Sequence, residues 1–433
     1  MDDLAASQLS PPEWPETWSV GSLDGMRARM KGSNLTGSRF WSVVLGLGIA
    51  WMMVGMLVMP SSISYNPGKM YEYSLGLLLY LPSLYAVVRL RALWWRELWP
   101  LPAFRLFLVL LAWATLTLAW STVHRPGDEF GRVLTVLLFV LGCHLWAGER
   151  PSRMRLLLPL VGCAMGLCAL FYTVTFLRSA PAAGARIVGD GVVATANYAA
   201  AAMGAACVWM AQMPPRRRLG LAVCVVAMLA LLVFVVLTQS RSVWLALACC
   251  ALATPLWNRH RLARLVALGV FALVVVLAIQ PLPVLLERGA SYRPQIFIKA
   301  VHLIAQHPWR GWGQGAPFTI DVGDLHLVHS HNVLTQTAIE LGLPGLLLLM
   351  AMWALVARTG WRHRAEPLGR VVLGLWVYAS VSLQFDMPQL LDSPRPGWLL
   401  IWLPFALSLG LEVRARAAAD PLTSRTLDAP MPR

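Results

Sequence analysis

The sequence predicts an all-α polytopic membrane protein of about twelve transmembrane helices, with both termini on the cytoplasmic side. Three observations carry that prediction. Of 433 residues, 58% are hydrophobic and 13% charged, with a mean hydropathy of +0.60. A soluble chain of this length needs a larger polar share to cover its surface. Apolar segments recur along the chain, each approaching the roughly 20 residues that span a hydrocarbon core. Finally, the basic residues are distributed asymmetrically between alternate connections.

Residues 1–40 are polar and contain Pro11, Pro12 and Pro15. They lack an apolar h-region, so they read as a cytoplasmic tail rather than a signal peptide. Residues 41–280 hold nine predicted spans, at 41–59, 73–90, 105–120, 133–147, 155–177, 197–213, 219–237, 243–257 and 265–280. Residues 281–330 form a long external loop. Residues 331–412 hold three more spans, at 336–357, 371–384 and 398–412, and 413–433 form a second cytoplasmic tail. Several of these cores are short, and Trp94, Trp95, Trp99, Trp120, Trp257 and Trp398 stand at their ends, where indole rings favour the interface.

With the N-terminus inside, 25 of the 36 Lys and Arg residues fall on the cytoplasmic side and 11 outside. Much of the formal charge of +15 is thereby assigned to topology and anionic lipid, not to nucleic acid. The connection from Met213 to Leu219 is short, which disfavours two six-helix transporter halves joined by a long linker. The seven cysteines all lie in apolar runs without C-x-x-C spacing and read as packing residues. No short-period repeat is visible.

The external loop is where function is expected. Pro294 to His307 reads as an interfacial amphipathic helix. Gln295, Lys299, His302 and Gln306 form its polar stripe, and Ile296, Phe297, Ala300, Val301 and Ile304 its apolar side. Pro294 suits a first helical position, which puts Arg293 at the helix entrance, where unpaired N–H groups favour anions. A surface-covering helix with a snorkelling arginine is the competing reading.

Other external residues come from separate places in the chain. Arg241, in Ser240-Arg241-Ser242-Val243-Trp244, sits between two spans almost without a loop. An arginine at membrane depth costs roughly 2.5–3.5 kcal/mol on insertion scales, so it takes a partner or a task. Capping and snorkelling is one reading; facing a lipid diphosphate with its planar fork is the other. By themselves, Arg186 reads as a loop turn and Asn197 as a helix cap. His329-Ser330-His331-Asn332 opens the tenth helical stretch, ahead of Glu340, which is expected to support the helix or pair with an arginine. A histidine there can take a proton from a hydroxyl, or simply cap the helix.

His331-Asn332, nine residues, then Gly342-Leu343-Pro344-Gly345 resembles the H-[NSQ]-x9-G-x-x-G pattern of the O-antigen ligase superfamily. That superfamily holds O-antigen ligases, O-antigen polymerases and protein O-oligosaccharyltransferases. Counting from His329 puts Glu340 at the first glycine, so His331 is the match. Arg293 followed by His307-Pro308-Trp309-Arg310-Gly311-Trp312-Gly313-Gln314-Gly315 is similar to the family's arginine and H-P-x-x-G-x-G-x-G run. Arg241, and Arg186 with Asn197, match further external positions, although Ala196 stands where the family often has proline. The likeness covers roughly Arg186 to Leu349.

The resemblance implies a GT-C-like architecture in the bacterial inner membrane with a periplasmic active site. It also implies a glycan on undecaprenyl diphosphate as donor and, for a ligase, an outer sugar of lipid A-core as acceptor. Transfer then requires positive charge at the departing diphosphate and a base at the acceptor hydroxyl. His331 is expected to be that base, or to orient the acceptor. Arg241 and Arg293 are expected to clamp the diphosphate, with Arg186 and Arg288 as lesser members. Asn197, His329 and Asn332 are further substrate-binding expectations, and Gly342 and Gly345 structural ones. No metal or cofactor is expected, because the external side has no D-x-D and Asp321 and Asp324 are too sparse for a hard-cation cage. The R-x15-G pattern of some polymerases is absent from the long loop: Arg288, Arg293 and Arg310 lead to Ile304, Trp309 and His326. An oligosaccharyltransferase tends to carry a larger soluble region, and a transporter would place ionisable residues at mid-span, where this chain has almost none.

Overall fold

The computed structural model describes residues 39–59, 67–150, 152–182, 184–215, 217–279, 292–386 and 389–419. They are predominantly helical. In order they form α1 (Arg39–Val58), α2 (Pro67–Leu75), a π turn (Gly76–Tyr80), α3 (Leu81–Arg89), α4 (Arg91–Leu98), α5 (Pro102–Thr117), α6 (Pro126–Glu149) and α7 (Ser152–Arg178). Next come α8 (Ala196–Gln212), α9 (Arg218–Leu237), α10 (Arg241–Ala253), α11 (Arg261–Ile279) and α12 (Arg293–Gln306). A two-stranded hairpin, β1 (Ile320–Val322) and β2 (Leu325–Leu327), precedes α13 (Val333–Arg362) and α14 (Pro367–Ser382). A second π turn (Trp398–Trp402) leads into α15 (Leu403–Ala419).

Among the described residues, a helix lies over each of the twelve apolar segments read from the sequence. Six are long and apolar enough to cross a membrane, or seven if the pair Lys69–Arg89 and Arg91–Leu98, bent by 87°, is one span. Pro102–Thr117, Arg241–Leu256 and Pro367–Ser382 are shorter apolar helices. Prolines open several of these elements, at Pro102, Pro126 and Pro367, where the missing N–H costs no helical bond. Asp128 and Glu129 in the first turn of α6 oppose its positive dipole end.

α8 is the centre of the bundle. Its Ala199, Ala200, Ala202, Ala205 and Ala206 are all buried, and small residues let α7, α9, α10 and α14 approach closely. α9, by contrast, exposes Leu219, Val226, Leu229 and Val236, the pattern of a lipid-facing helix. All seven cysteines are free, as expected of packing residues.

The amphipathic helix forms at α12, one residue earlier than its sequence boundary. Its buried stripe is narrower than expected: Ile296 and Ala300 pack with Ile320, Val322 and Ile339, while Phe297 and Val301 stay exposed. The hairpin, which the sequence reading did not anticipate, supplies the apolar side that α12 covers.

α13 is broken at Gly342, where φ is +67° and ψ −175°, ahead of Pro344. A break frees carbonyls that hydrocarbon cannot satisfy, so protein must. Trp312 N–H donates to Ile339 O at 2.8 Å, Gly313 N–H to Glu340 O at 2.8 Å, and Trp113 Nε1 to Leu341 O at 2.8 Å. In return Leu343 N–H donates to Pro308 O at 2.7 Å. The glycine-rich loop and the broken helix are therefore one unit, docked backbone to backbone.

Candidate active site

His331 sits on the turn that enters α13. Asn332 caps the helix, its Oδ1 accepting from Leu334 N–H at 2.8 Å and Thr335 N–H at 3.2 Å, and its Nδ2 donates to Gln384 Oε1 at 2.9 Å. Asn332 is thus the N-cap of α13. The cap leaves His331 in the left-handed region at φ +56°. A non-glycine residue held there costs of order 1–3 kcal/mol, and such strain gathers at functional sites.

The turn aims His331 at the segment between α14 and the second π turn. His331 Nδ1 lies 3.2 Å from Asp386 Oδ1, with side chains 25% and 16% exposed. Asn197 hydrogen-bonds the same carboxyl. Burial would raise the Asp386 pKa, but those hydrogen bonds and the charges of His331 and His329 outweigh it and hold the carboxyl below its ordinary value. Asp386 is therefore an anion set against the imidazole.

Arginines surround this pair. Arg293 Nη1 donates to the Phe385 carbonyl, and its guanidinium lies over the Phe385 ring, 5.4 Å from the centroid. Burial lowers the Arg293 pKa, the Asp386 charge raises it, and the Arg241 charge lowers it again. Arg241, the first residue of α10, thus approaches Arg293 closely enough to be felt. Arg186 donates from Nε to Thr238 O at 2.7 Å and from Nη2 to Asn197 Oδ1 at 3.0 Å. Ser240 Oγ also donates to Asn197 Oδ1, at 3.1 Å.

The sequence-derived reading of Asn197 as a cap is corrected by this geometry. Thr195 is the N-cap of α8, accepting from Tyr198 N–H, and Asn197 instead ties Arg186, Ser240 and Asp386 together. His329 lies beside His331 with ring centroids 4.0 Å apart and the ring planes tilted by 54°. Burial and the neighbouring His331 push its pKa down to about 4. Glu340 bonds Gln336 and Gln389, not an arginine. Gly342 and Gly345 lie further along α13, away from the imidazole. Arg288 falls outside the described residues.

Two residues of the site escaped the sequence reading. Asp386 sits in a short polar connection, Gln384-Phe385-Asp386, and counting Lys and Arg for topology gives an acid no weight. Arg395 bonds Asp392 at 3.0 Å and lies near enough to His329 to act on its charge. An acid just beyond the end of an apolar helix was the available signal.

One set of possible metal donors occurs among the described residues: His329, His331 and Asp386, whose ligand atoms lie within 4.8 Å of one another. Two imidazole nitrogens and a single carboxylate do not suit magnesium or calcium, which take oxygen ligands. Arg241, Arg293 and Arg395 give the surroundings a positive charge that opposes a dication and favours an anion.

Six to seven helices among the described residues are long and apolar enough to cross a membrane, as in a polytopic membrane protein, and a histidine–carboxylate pair lies near Arg186, Arg241 and Arg293. Residues 226–350 match the family model for O-antigen ligase. The chain is also 27% identical over 382 residues to an O-antigen ligase of Pseudomonas aeruginosa, covering 87% of this chain and 92% of that relative. Both findings bear out the resemblance read from the motifs. The matched segment contains Arg241, Arg293, His331, Gly342 and Gly345 and ends before Asp386.

Proposed function

We propose that this chain is an O-antigen ligase of the inner membrane, transferring a glycan from undecaprenyl diphosphate to an outer sugar of lipid A-core. In this reading twelve helices cross the membrane, both termini are cytoplasmic, and the His331 end faces the periplasm. Residues 1–40 and 413–433 are the cytoplasmic tails and 281–330 the periplasmic loop. The observation that carries the proposal is the His331–Asp386 pair among Arg186, Arg241 and Arg293, in a chain that matches the O-antigen ligase model.

The chemistry follows from the pair. With Nδ1–H donated to Asp386, the Nε2 lone pair is left to accept a proton, as in other carboxylate-oriented histidines. The acceptor hydroxyl gives its proton to Nε2 while its oxygen attacks the anomeric carbon. The bond from that carbon to the diphosphate oxygen breaks, and the electron pair leaves on the diphosphate. Guanidinium groups of Arg241 and Arg293 stabilise that developing charge, while Arg186 organises Asn197 behind them. A single displacement inverts the anomeric centre. The arginines supply the charge that a metal ion supplies elsewhere, so transfer is metal-independent.

Gene deletion followed by lipopolysaccharide electrophoresis tests the assignment. Loss of a ligase leaves bare lipid A-core while polymerised glycan builds up on its lipid carrier. Core bearing a single repeat would instead identify a polymerase, and an unchanged lipopolysaccharide pattern would reject both.

A further inference from the structure

Behind the His331 turn, a set of buried amides and carboxyls continues into the bundle. Ser330 N–H, one residue before His331, donates to Gln336 Oε1 at 3.0 Å. Gln336 Nε2 donates to Glu340 Oε1 at 2.8 Å, and Gln389 Nε2 reaches the same oxygen at 3.2 Å. Arg132 anchors Gln389 Oε1 at 2.9 Å and Glu129 Oε1 at 2.6 Å. Gln336 is 2% exposed and Glu340 1%. Burying such groups is unfavourable unless every partner is present, and here Glu340 Oε2 is left without one. A helix start needs only a cap, which Asn332 already provides, so capping does not account for this arrangement.

What the amides hold is the backbone on the N-terminal side of a strained residue. His331 has φ +56°, and its ring must meet Asp386 on one edge and substrate on the other. Asn332 ties the C-terminal side of the turn to Gln384, next to Phe385 and Asp386. Gln336 ties the N-terminal side, with Thr335 Oγ1 donating to Ser330 Oγ at 2.8 Å in support. Gln389 brings the α14 connection, which carries Asp386, to the same carboxyl oxygen.

We propose that Gln336 and Glu340 are positioning residues for His331: the Glu340 carboxyl oxygen orients the Gln336 and Gln389 amides, so that the His331 turn and the Asp386 segment are held in one register. This rests on His331 being the base. Glu340 then acts through two amides and touches no substrate. The feature required of it is an acceptor oxygen at a fixed reach, which glutamine also supplies and aspartate does not.

The test compares purified full-length Gln336→Leu, Glu340→Asp and Glu340→Gln with wild type and His331→Ala. The readouts are membrane abundance, donor KM, kcat and the acid side of the pH–rate profile. Gln336→Leu and Glu340→Asp should lose roughly 10- to 100-fold in kcat, as expected for a displaced catalytic group, with donor KM unchanged. Their pH–rate profile should differ from wild type, because the contact between the His331 turn and Asp386 is altered. Glu340→Gln should keep kcat and the profile close to wild type. In the His331→Ala background, Gln336→Leu should reduce the residual rate no further. Reduced abundance with unchanged specific activity and pH profile would make the network merely structural and overturn the proposal. So would wild-type turnover in Glu340→Asp, which changes one methylene and serves even where Gln336→Leu does not accumulate. If His331→Ala itself turns over normally, it is the base assignment that fails, and the two failures are distinguishable.

Discussion

His331 and His329 are two residues apart with their rings in contact, yet their surroundings differ. His331 has an anionic partner in Asp386, whereas burial and its neighbour hold His329 neutral until about pH 4. His331→Ala should therefore assemble, bind the lipid-linked donor through the arginines, and lose about 10²- to 10⁴-fold in turnover. His329→Ala should be much milder. With burial and the neighbouring His331 pushing its pKa down to about 4, His329 should contribute no acid limb to the pH–rate profile above that pH. A dead His329→Ala beside an active His331→Ala would withdraw the assignment.

Arg293 has a carbonyl, an aromatic face and a carboxylate around it, a set that suits a planar fork better than an ammonium. Arg293→Ala should abolish transfer, as should Arg241→Ala, and lysine at either position should rescue poorly. Abundance has to be measured alongside turnover. Normal activity of Arg293→Ala at normal abundance would leave Arg293 as a snorkelling side chain.

At the scale of elements, the joint between the glycine-rich loop and the break in α13 explains why both motifs need glycine. At Gly342 a Cβ would lie 2.6 Å from Trp309 O, at a φ of +67° that L side chains rarely adopt. At Gly311, also at φ +67°, it would press on the Glu340 carbonyl from the other side. Gly342→Ala should therefore lower membrane abundance or activity severely, since the loop must lift and strand the Ile339 and Glu340 carbonyls. Gly410→Ala, where nothing lies within 4 Å, should be neutral. Comparable abundance and turnover of the two variants would refute the docking argument.

At the scale of the whole molecule, orientation and metal use are the open tests. Val328→Cys, on an exposed position of the external loop, should react with an impermeant maleimide in intact spheroplasts. Ala365→Cys, in the α13–α14 connection, should react only after permeabilisation, above the background of seven native cysteines. The reverse pattern would invert every site assignment. Purified protein with both lipid substrates should work in excess EDTA. Activity lost to chelator and restored by magnesium, manganese or zinc would move the His329–His331–Asp386 set from the base to a metal centre.

The sequence by itself determined the membrane class, the apolar segments, the helix at Arg293–Gln306, and the spacing that matches His331 rather than His329 to the family motif. Hydropathy and helix punctuation are local, and a motif's spacing survives without knowledge of the fold. Only the tertiary structure decided that Asp386 faces His331, that Asn197 joins Arg186 to Ser240 instead of capping α8, and that Gly311 and Gly342 are neighbours. It also decided that Glu340 answers to two amides. Each of these is a contact between residues far apart in the chain or a choice among equivalent polar partners. Such choices are made by how helices pack, because a buried donor bonds whichever acceptor the packing brings within reach.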